Sequence, residues 1–307
     1  IITDENVFTK NKNTFKGWRV IVLQAGEQYK NQAAVDNIID QLIAAGANRK
    51  TVLIGVGGGV VTDVAGYVAG IYMRGISFGF VPSSILAMVD AAIGGKNGVD
   101  VGLYKNMIGL IRQPSFLLYD FSFLKSLPKE EWINGFAEII KHACIKDAAM
   151  FALLEQHKLA DFQKNKMLLN KLIQRNALLK SKVVQMDEFE TGERKILNFG
   201  HTLGHAIENE YQLPHGHAVA IGMVAASYLS RDILGFKMPE KIIALIEKYG
   251  LPAFAKFNAA KALQMMYADK KRVQDTIHYV LLEKIGKAVV RPLTIKQIQP
   301  VVEELSK

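Results

Sequence analysis

Residues 51–75 read TVLIGVGGGVVTDVAGYVAGIYMRG, and this stretch decides the fold. Val52–Ile54 is a short, fully apolar strand. Gly55, Gly57, Gly58 and Gly59 follow it, and a helix of small residues follows them. Glycine permits positive φ and close backbone approach. A strand, a glycine turn and a helix in that order aim backbone N–H groups at a phosphate at the helix start. The spacing is G-x-G-G-G and not the G-x-G-x-x-G of the dinucleotide fingerprint, so the motif gains its meaning from the buried strand before it. The competing reading is a tight strand-to-helix turn. Asp63, in the first turns of the helix, is placed to meet a cofactor hydroxyl or amide.

Outward from this unit the same alternation continues. RVIVL (19–23) predicts a strand, and QAAVDNIIDQLIAAGA (32–47) an amphipathic helix with Ile38, Ile39, Leu42 and Ile43 on its apolar side. ISFGFVP (76–82) predicts another strand, closed by Pro82. Strands alternating with helices imply a parallel sheet covered on both faces. The opening IITDENV predicts a strand running into a polar turn, and the sheet's first strands are expected to lie outside this chain. Beyond about residue 120 the texture becomes helical, over 130–158, 163–186, 200–210, 217–234 and 239–249, with a late strand in HYVLLEKIG (278–286). The expected organisation is a Rossmann-like α/β domain over 1–120 and a mainly α-helical domain over 121–307, with no flexible linker.

Half of the 307 residues are hydrophobic, a globular composition. The net charge of +9 is scattered, with no basic arm or aromatic-interleaved groove, which argues against nucleic acid and leaves room for an anionic small substrate. The single cysteine, Cys144, excludes an internal disulfide framework and sits in an apolar helical stretch. No apolar run reaches the length of a membrane span.

Three constellations carry chemistry. In VDAAIGGKNGVDVGLYKNMIG (89–109), Asp90, Lys96, Lys105 and Asn106 lie in a glycine-rich loop suited to anion binding, unless these are ordinary surface lysines. In GFAEIIKHA (135–143), Glu138 either joins two histidines in a metal site with an open position or pairs with Lys141 at i,i+3. In residues 192–223, His201 and His205 share a helix face and His215 follows Pro214 at a loop or helix start. Imidazoles so concentrated serve metal binding or proton transfer. If His201 and His215 ligate, His205 is left for a proton or a phosphate oxygen. The competing reading is three solvated or capping histidines. Together these groups point to oxidation or reduction at a carbon bearing a hydroxyl, on a phosphorylated or carboxylated substrate.

The segments GVGGGVVTDVAGYVA, YMRG, VPSSILAMVDAAIGGKNGVD, LYKNMIG, FLKSLP, GFAEIIKHA, DEFETGERKILNFGHTLGHAIE and HGHAVAIGM resemble, in order and over nearly the whole chain, the 3-dehydroquinate synthases of the sugar phosphate cyclase superfamily. The resemblance implies a Rossmann-like NAD-binding domain and a helical metal-binding domain. It implies conversion of 3-deoxy-D-arabino-heptulosonate 7-phosphate to 3-dehydroquinate and phosphate, in the shikimate pathway of aromatic amino acid biosynthesis. The implied course is transient oxidation by NAD, phosphate elimination, reduction and intramolecular aldol closure. It further implies zinc or cobalt held by Glu138, His201 and His215. Phosphate contacts would come from Lys96, Asn106, Asn198, His205 and one of Lys270 and Lys271. Lys180 and Arg194 would hold the substrate carboxylate, with Asp90, Lys105 and Lys141 around the hydroxyls and metal. NAD would meet Asp4, Asn6, Glu27, Lys30, Gly58, Gly59, Asp63, Ser83, Ser84, Ser126 and Leu127. Arg74 would reach the neighbouring site of a cytoplasmic homodimer.

The chain departs from the family pattern at Thr62 (commonly glycine), Ala91 and Ala92 (serines), Asn97 (threonine) and His217 (glutamate). Thr62 is expected to narrow the space near the pyrophosphate, and His217 to disturb the support of His215. The alternatives are a sister cyclase acting on sedoheptulose 7-phosphate or glucose 6-phosphate, which would need no carboxylate clamp, and a metal-dependent alcohol or glycerol dehydrogenase. A degenerate, non-enzymatic scaffold would be expected to have lost a ligand.

Overall fold

The computed structural model describes residues 1–102, 104–269 and 276–306. Lys270 and Lys271 lie outside the described residues. The chain forms two compact units, Ile1–Trp132 and Ile133–Lys307. The sequence reading puts the division at 120/121. The later boundary has a visible cause: the turn Phe121–Ser126 buries Phe123 in a cluster with Phe15 and Val56 of the first unit.

The first unit begins with β1 (Ile2–Asp4) and α1 (Glu5–Lys10), where a polar turn was expected; Asp4 Oδ1 accepts from Val7 N at 3.0 Å and starts the helix. β2 (Ile21–Leu23), α2 (Gln32–Ala44), β3 (Val52–Gly57), α3 (Gly59–Ile71) and β4 (Ser77–Pro82) follow. The four strands form one parallel sheet in the order β2-β1-β3-β4. Both faces are covered, as the alternation predicts. Leu53, Phe78 and Phe80 pack with Val35, Ile38 and Leu42 of α2 and Val61, Val64 and Val68 of α3. Ile54, Val56 and Val81 pack on the opposite side with Phe15 and Phe123. Ile43, expected on the apolar side of α2, is 61% exposed; the buried stripe is Val35, Ile38 and Leu42.

Most of the stretch expected as a glycine-rich loop (89–109) belongs instead to two antiparallel strands, β5 (Lys96–Val101) and β6 (Tyr104–Ile111). The glycines that suggested a loop instead let the strands approach: Gly98 pairs with Gly109, and a Cβ on Gly98 would lie 2.5 Å from Ile108 O.

The second unit is mainly helical: α4 (Lys129–Lys146), α5 (Ala148–Gln156), α6 (Leu159–Lys164), α7 (Lys166–Met186), α8 (His201–Tyr211), α9 (His215–Leu234), α10 (Pro239–Lys248), α11 (Ala259–Asp269) and α12 (Ile295–Leu305). The run expected over 130–158 is two helices. Asp147 breaks it by capping α5, accepting from Met150 N at 2.9 Å. The late strand β7 (Thr276–Lys284) pairs with β8 (Lys287–Thr294), and Leu282 N donates to Ser230 Oγ on α9 at 2.8 Å. α11, β8 and α12 went unread in the sequence.

The axis of this unit is α9, buried almost without interruption from Gly216 to Ser230. α8 lies against it through missing side chains. A Cβ on Gly222 would sit 1.8 Å from Gly200 O, and one on Gly204 would sit 3.1 Å from Ala218 O. Gly200 also has φ +83° where α8 begins. These glycines set the spacing of the two helices that carry His201 and His215. Gly222→Ala is expected to cost about 1–3 kcal/mol of stability, because backbone and not a mobile side chain must yield. Urea unfolding of the purified variant checks this.

Candidate active site

The second unit gathers Glu138, Lys141, His201, His205 and His215. Glu138 lies within α4 and is fully buried, as is Lys141 one turn on (0% and 1% exposed). The two readings of Glu138 prove compatible. Its Oε2 pairs with the Lys141 ammonium, while Oε1 faces His215 Nε2 at 3.3 Å and His201 Nε2 at 3.7 Å. One ligand atom from each of Glu138, His201 and His215 falls within 4.8 Å of the others.

The imidazoles are held from behind. His201 Nδ1 lies 3.2 Å from Phe199 O, and His215 Nδ1 lies 3.2 Å from Glu208 Oε2. Each ring thus has its far nitrogen occupied by a protein acceptor, which leaves Nε2 turned to the carboxylate. This is how metal-binding histidines are commonly oriented. Burial, then the Lys141 charge, drives the His201 pKa well down and keeps that ring neutral. Burial acts the same way on His215, but its hydrogen bonds to Glu138 and Glu208 outweigh it and raise the value to about 10. An acid-rich pair of partners and two inward nitrogens suit a divalent cation of the zinc or cobalt type.

His215 opens α9, as its place after Pro214 suggested, and Pro214 provides no cap. Asn134 supplies one from α4, its Oδ1 accepting from Gly216 N. Gly216 must be glycine, since a Cβ would lie 2.3 Å from Asn134 O. The His205 ring is 5.1 Å from His201 and 6.5 Å from His215, and the residue is exposed. His217, the departure expected to weaken the support of His215, is half-buried, and Glu208 supplies the carboxylate to His215.

Residues 187–198 form a second feature of this unit. Arg194 is 2% exposed, and its Nη1 donates to Glu188 O at 2.5 Å. Asn198 Nδ2 donates to Glu190 Oε1 at 2.5 Å. Glu190 has φ +59°, a conformation that costs a non-glycine residue energy and often marks a functional site. Lys180, on α7, is 6% exposed.

In the first unit, α3 starts at Gly58 with no side chain capping it, so its first N–H groups suit an anion. The turn is narrow: a Cβ on Gly58 would lie 3.5 Å from Ser84 Oγ, and one on Gly59 would lie 3.3 Å from Ala91 Cβ. Thr62 is fully buried and its hydroxyl donates to Gly59 O at 3.0 Å. Ser83 N donates to Gly57 O at 2.8 Å, so this segment is locked to the end of β3.

Lys30 joins two groups that sequence reasoning kept apart. Its ammonium, buried, lies 2.7 Å from Asp63 Oδ2 and donates to Asn106 Oδ1 at 2.6 Å; Glu27 is 3.8 Å away. Burial opposes the charge on Lys30, but Asp63 and Glu27 together raise its pKa. Asn106 has φ +52°, held by Asp100 Oδ1 on its N–H at 2.7 Å. Asn97, another departure, is buried and donates to Gly95 O at 2.7 Å and Arg112 O at 3.0 Å, bonds that a threonine hydroxyl could not both supply. Lys96 beside it is exposed and Lys105 half-buried. Asp4 caps α1, Asn6 is exposed, and Ser126 Oγ donates to Phe123 O at 3.0 Å with Leu127 next to it. Asp90 lies at the end of a short π-helical turn. Arg74 is exposed and has φ +65°, after Met73 at φ +49°.

Three supporting residues escaped the sequence reading: Glu208, Asn134 and Glu190. Glu208 had a signal, since it lies seven residues after His201 and so near the same face of α8. The other two had none, because their contacts are made by loop closure or between helices.

Known proteins place this arrangement. Two families match, described as 3-dehydroquinate synthase N-terminal over residues 20–134 and 3-dehydroquinate synthase C-terminal over residues 135–272. The chain is 40% identical over 287 residues to the 3-dehydroquinate synthase of Pyrococcus abyssi (strain GE5 / Orsay), covering 93% of this chain and 85% of the relative. Among solved structures, 2-epi-5-epi-valiolone synthase from Streptomyces hygroscopicus subsp. jinggangensis 5008, with NAD+ and Zn2+ bound, matches at a TM-score of 0.92 and 27% identity over 99% of this chain and 89% of that one. A 2-deoxy-scyllo-inosose synthase complexed with carbaglucose-6-phosphate, NAD+ and Co2+ matches at 0.85 and 26%, with the same coverage.

Glu208→Gln is expected to weaken divalent metal binding by about 10–100-fold while leaving Glu138, His201 and His215 in place. Chelator competition on the purified protein measures it.

Proposed function

The chain belongs to the 3-dehydroquinate synthase family, and we propose that it converts 3-deoxy-D-arabino-heptulosonate 7-phosphate to 3-dehydroquinate and inorganic phosphate. The observation that carries this reading is the buried Glu138 carboxylate with two inward-turned imidazoles beside it. Higher identity to a 3-dehydroquinate synthase than to the valiolone and inosose cyclases favours the sugar acid over a neutral sugar phosphate.

Its cofactors are NAD and a divalent metal. When bound, NAD takes up and later returns a hydride, and the metal makes a substrate hydroxyl acidic. The first unit is the NAD-binding domain, with Gly58, Gly59, Ser83, Ser84 and Asp63 at the turn and Asp4, Asn6, Glu27, Ser126 and Leu127 around it. Lys30 acts there through Asp63. The second unit is the metal- and substrate-binding domain, with Glu138, His201 and His215 as ligands.

Arg194 and Lys180 hold the substrate carboxylate. Burial strengthens such a clamp, because a guanidinium removed from water binds an anion in a medium of low dielectric. The phosphate contacts are Lys96 and Asn106 of the first unit and Asn198 and His205 of the second, and His205 is exposed. Asp90 and Lys105 orient the hydroxyls, and Lys141 neutralises Glu138. Fixing many oxygens at once supplies much of the rate. Arg74, exposed at the second of two successive positive φ values, serves the neighbouring site of a homodimer in the cytoplasm.

Protein supplied with NAD and zinc should release phosphate from the heptulosonate phosphate and not from sedoheptulose 7-phosphate or glucose 6-phosphate. Release from a neutral sugar alone would overturn the assignment. Arg194→Met should raise KM for the acid by about 10–100-fold, the value of a lost charged hydrogen-bond pair. Equilibrium dialysis should show NAD binding intact.

A further inference from the structure

Arg194 is held at both ends by one dipeptide, Asp187–Glu188. α7 ends at Met186, and Asp187 follows with φ −154° and ψ 78°. Its Oδ1 accepts from Thr191 N at 2.9 Å and from Thr191 Oγ1 at 3.2 Å. Its Oδ2 accepts from Gly192 N at 2.8 Å and from Arg194 N at 3.0 Å. At the other end, Arg194 Nη1 donates to Glu188 O at 2.5 Å.

We propose that Asp187 is the positioning residue for Arg194, closing residues 187–194 into a ring of hydrogen bonds that fixes the guanidinium. This rests on the reading of Arg194 as a carboxylate-binding group. The backbone N–H groups of residues 191, 192 and 194 converge as in an anion-binding nest, and the Asp187 carboxylate fills it from within the chain. Burial tends to raise the Asp187 pKa, but the N–H groups of Gly192, Arg194 and Thr191 and the Thr191 hydroxyl outweigh it and bring the value down to about 2. The carboxylate therefore stays charged wherever the enzyme works. Nothing ties a rotatable arginine to one direction unless its backbone and its tip are both fixed. Here one short loop does both, and it also includes Glu190, which holds Asn198 from a left-handed conformation.

Asp187→Asn offers the N–H groups one acceptor in place of two and turns an NH2 toward the rest. KM for the heptulosonate phosphate should rise about tenfold or more, with kcat changed less. NAD and metal affinities should stay as in the unaltered protein. Asp187→Gly empties the nest. Added formate should then lower its KM part of the way back, because a small carboxylate can occupy the same N–H groups, and should do nothing for Arg194→Met. An unchanged KM in Asp187→Asn, with Arg194→Met impaired, overturns the positioning role alone. An unchanged KM in Arg194→Met overturns the reading of Arg194 and this role with it. Parallel loss of NAD binding and substrate binding in both Asp187 variants, without rescue by formate, would make Asp187 a folding residue and overturn the proposal.

Discussion

The histidine cluster of the second unit answers to one buried carboxylate. Glu138 has no access to water, and an isolated ion so placed would cost several kcal/mol. Its two oxygens are therefore divided between a cation and a pair of rings. The division needs Lys141 one turn along α4, His201 at the start of α8 and His215 at the start of α9. That convergence in turn needs α8 and α9 at glycine spacing and α9 capped from α4 by Asn134. Glu138 and Glu208 face Lys141 and His215, and their hydrogen bonds hold the His215 pKa high.

Much of this was legible in the sequence because it depends on local order. The strand, glycine turn and helix over 51–75 are adjacent in the chain, and their apolar runs reappear as β3 and α3. The histidine spacing put His201 and His205 on one helix face, and Pro214 marked the start of α9. The sequence could not decide whether Glu138 pairs with Lys141 or faces the histidines, because that choice turns on two oxygens of one side chain pointing in different directions. Both partners are satisfied at once.

What escaped the sequence is long-range or conformational. The hairpin β5–β6 carries glycines that look like loop punctuation, yet Gly98 and Gly109 face each other where strands cross closely. The link from Lys30 to both Asp63 and Asn106 spans 76 residues to its farther partner, and no periodicity announces such a pair. Ile43 looked apolar and inward by spacing, but α2 buries a narrower stripe than its composition allows.

The departures from the family pattern are the sharper test of reasoning from residue type. Thr62 brings bulk to the first turn of α3, and there its hydroxyl satisfies Gly59 O and its side chain is wholly buried. Asn97 brings two donors to carbonyls on either side of the Lys96 strand's start. His217 removes a carboxylate next to His215, yet the ring's far nitrogen already has Glu208 from two turns along α8. In each case the outcome depends on a hydrogen-bond partner and not on size or charge alone. The same holds for Asp187, an acidic loop residue by composition and the filled centre of a nest by geometry. Glu208 and Asp187 alike act on a neighbouring group, one on the His215 ring and the other on the backbone of Arg194.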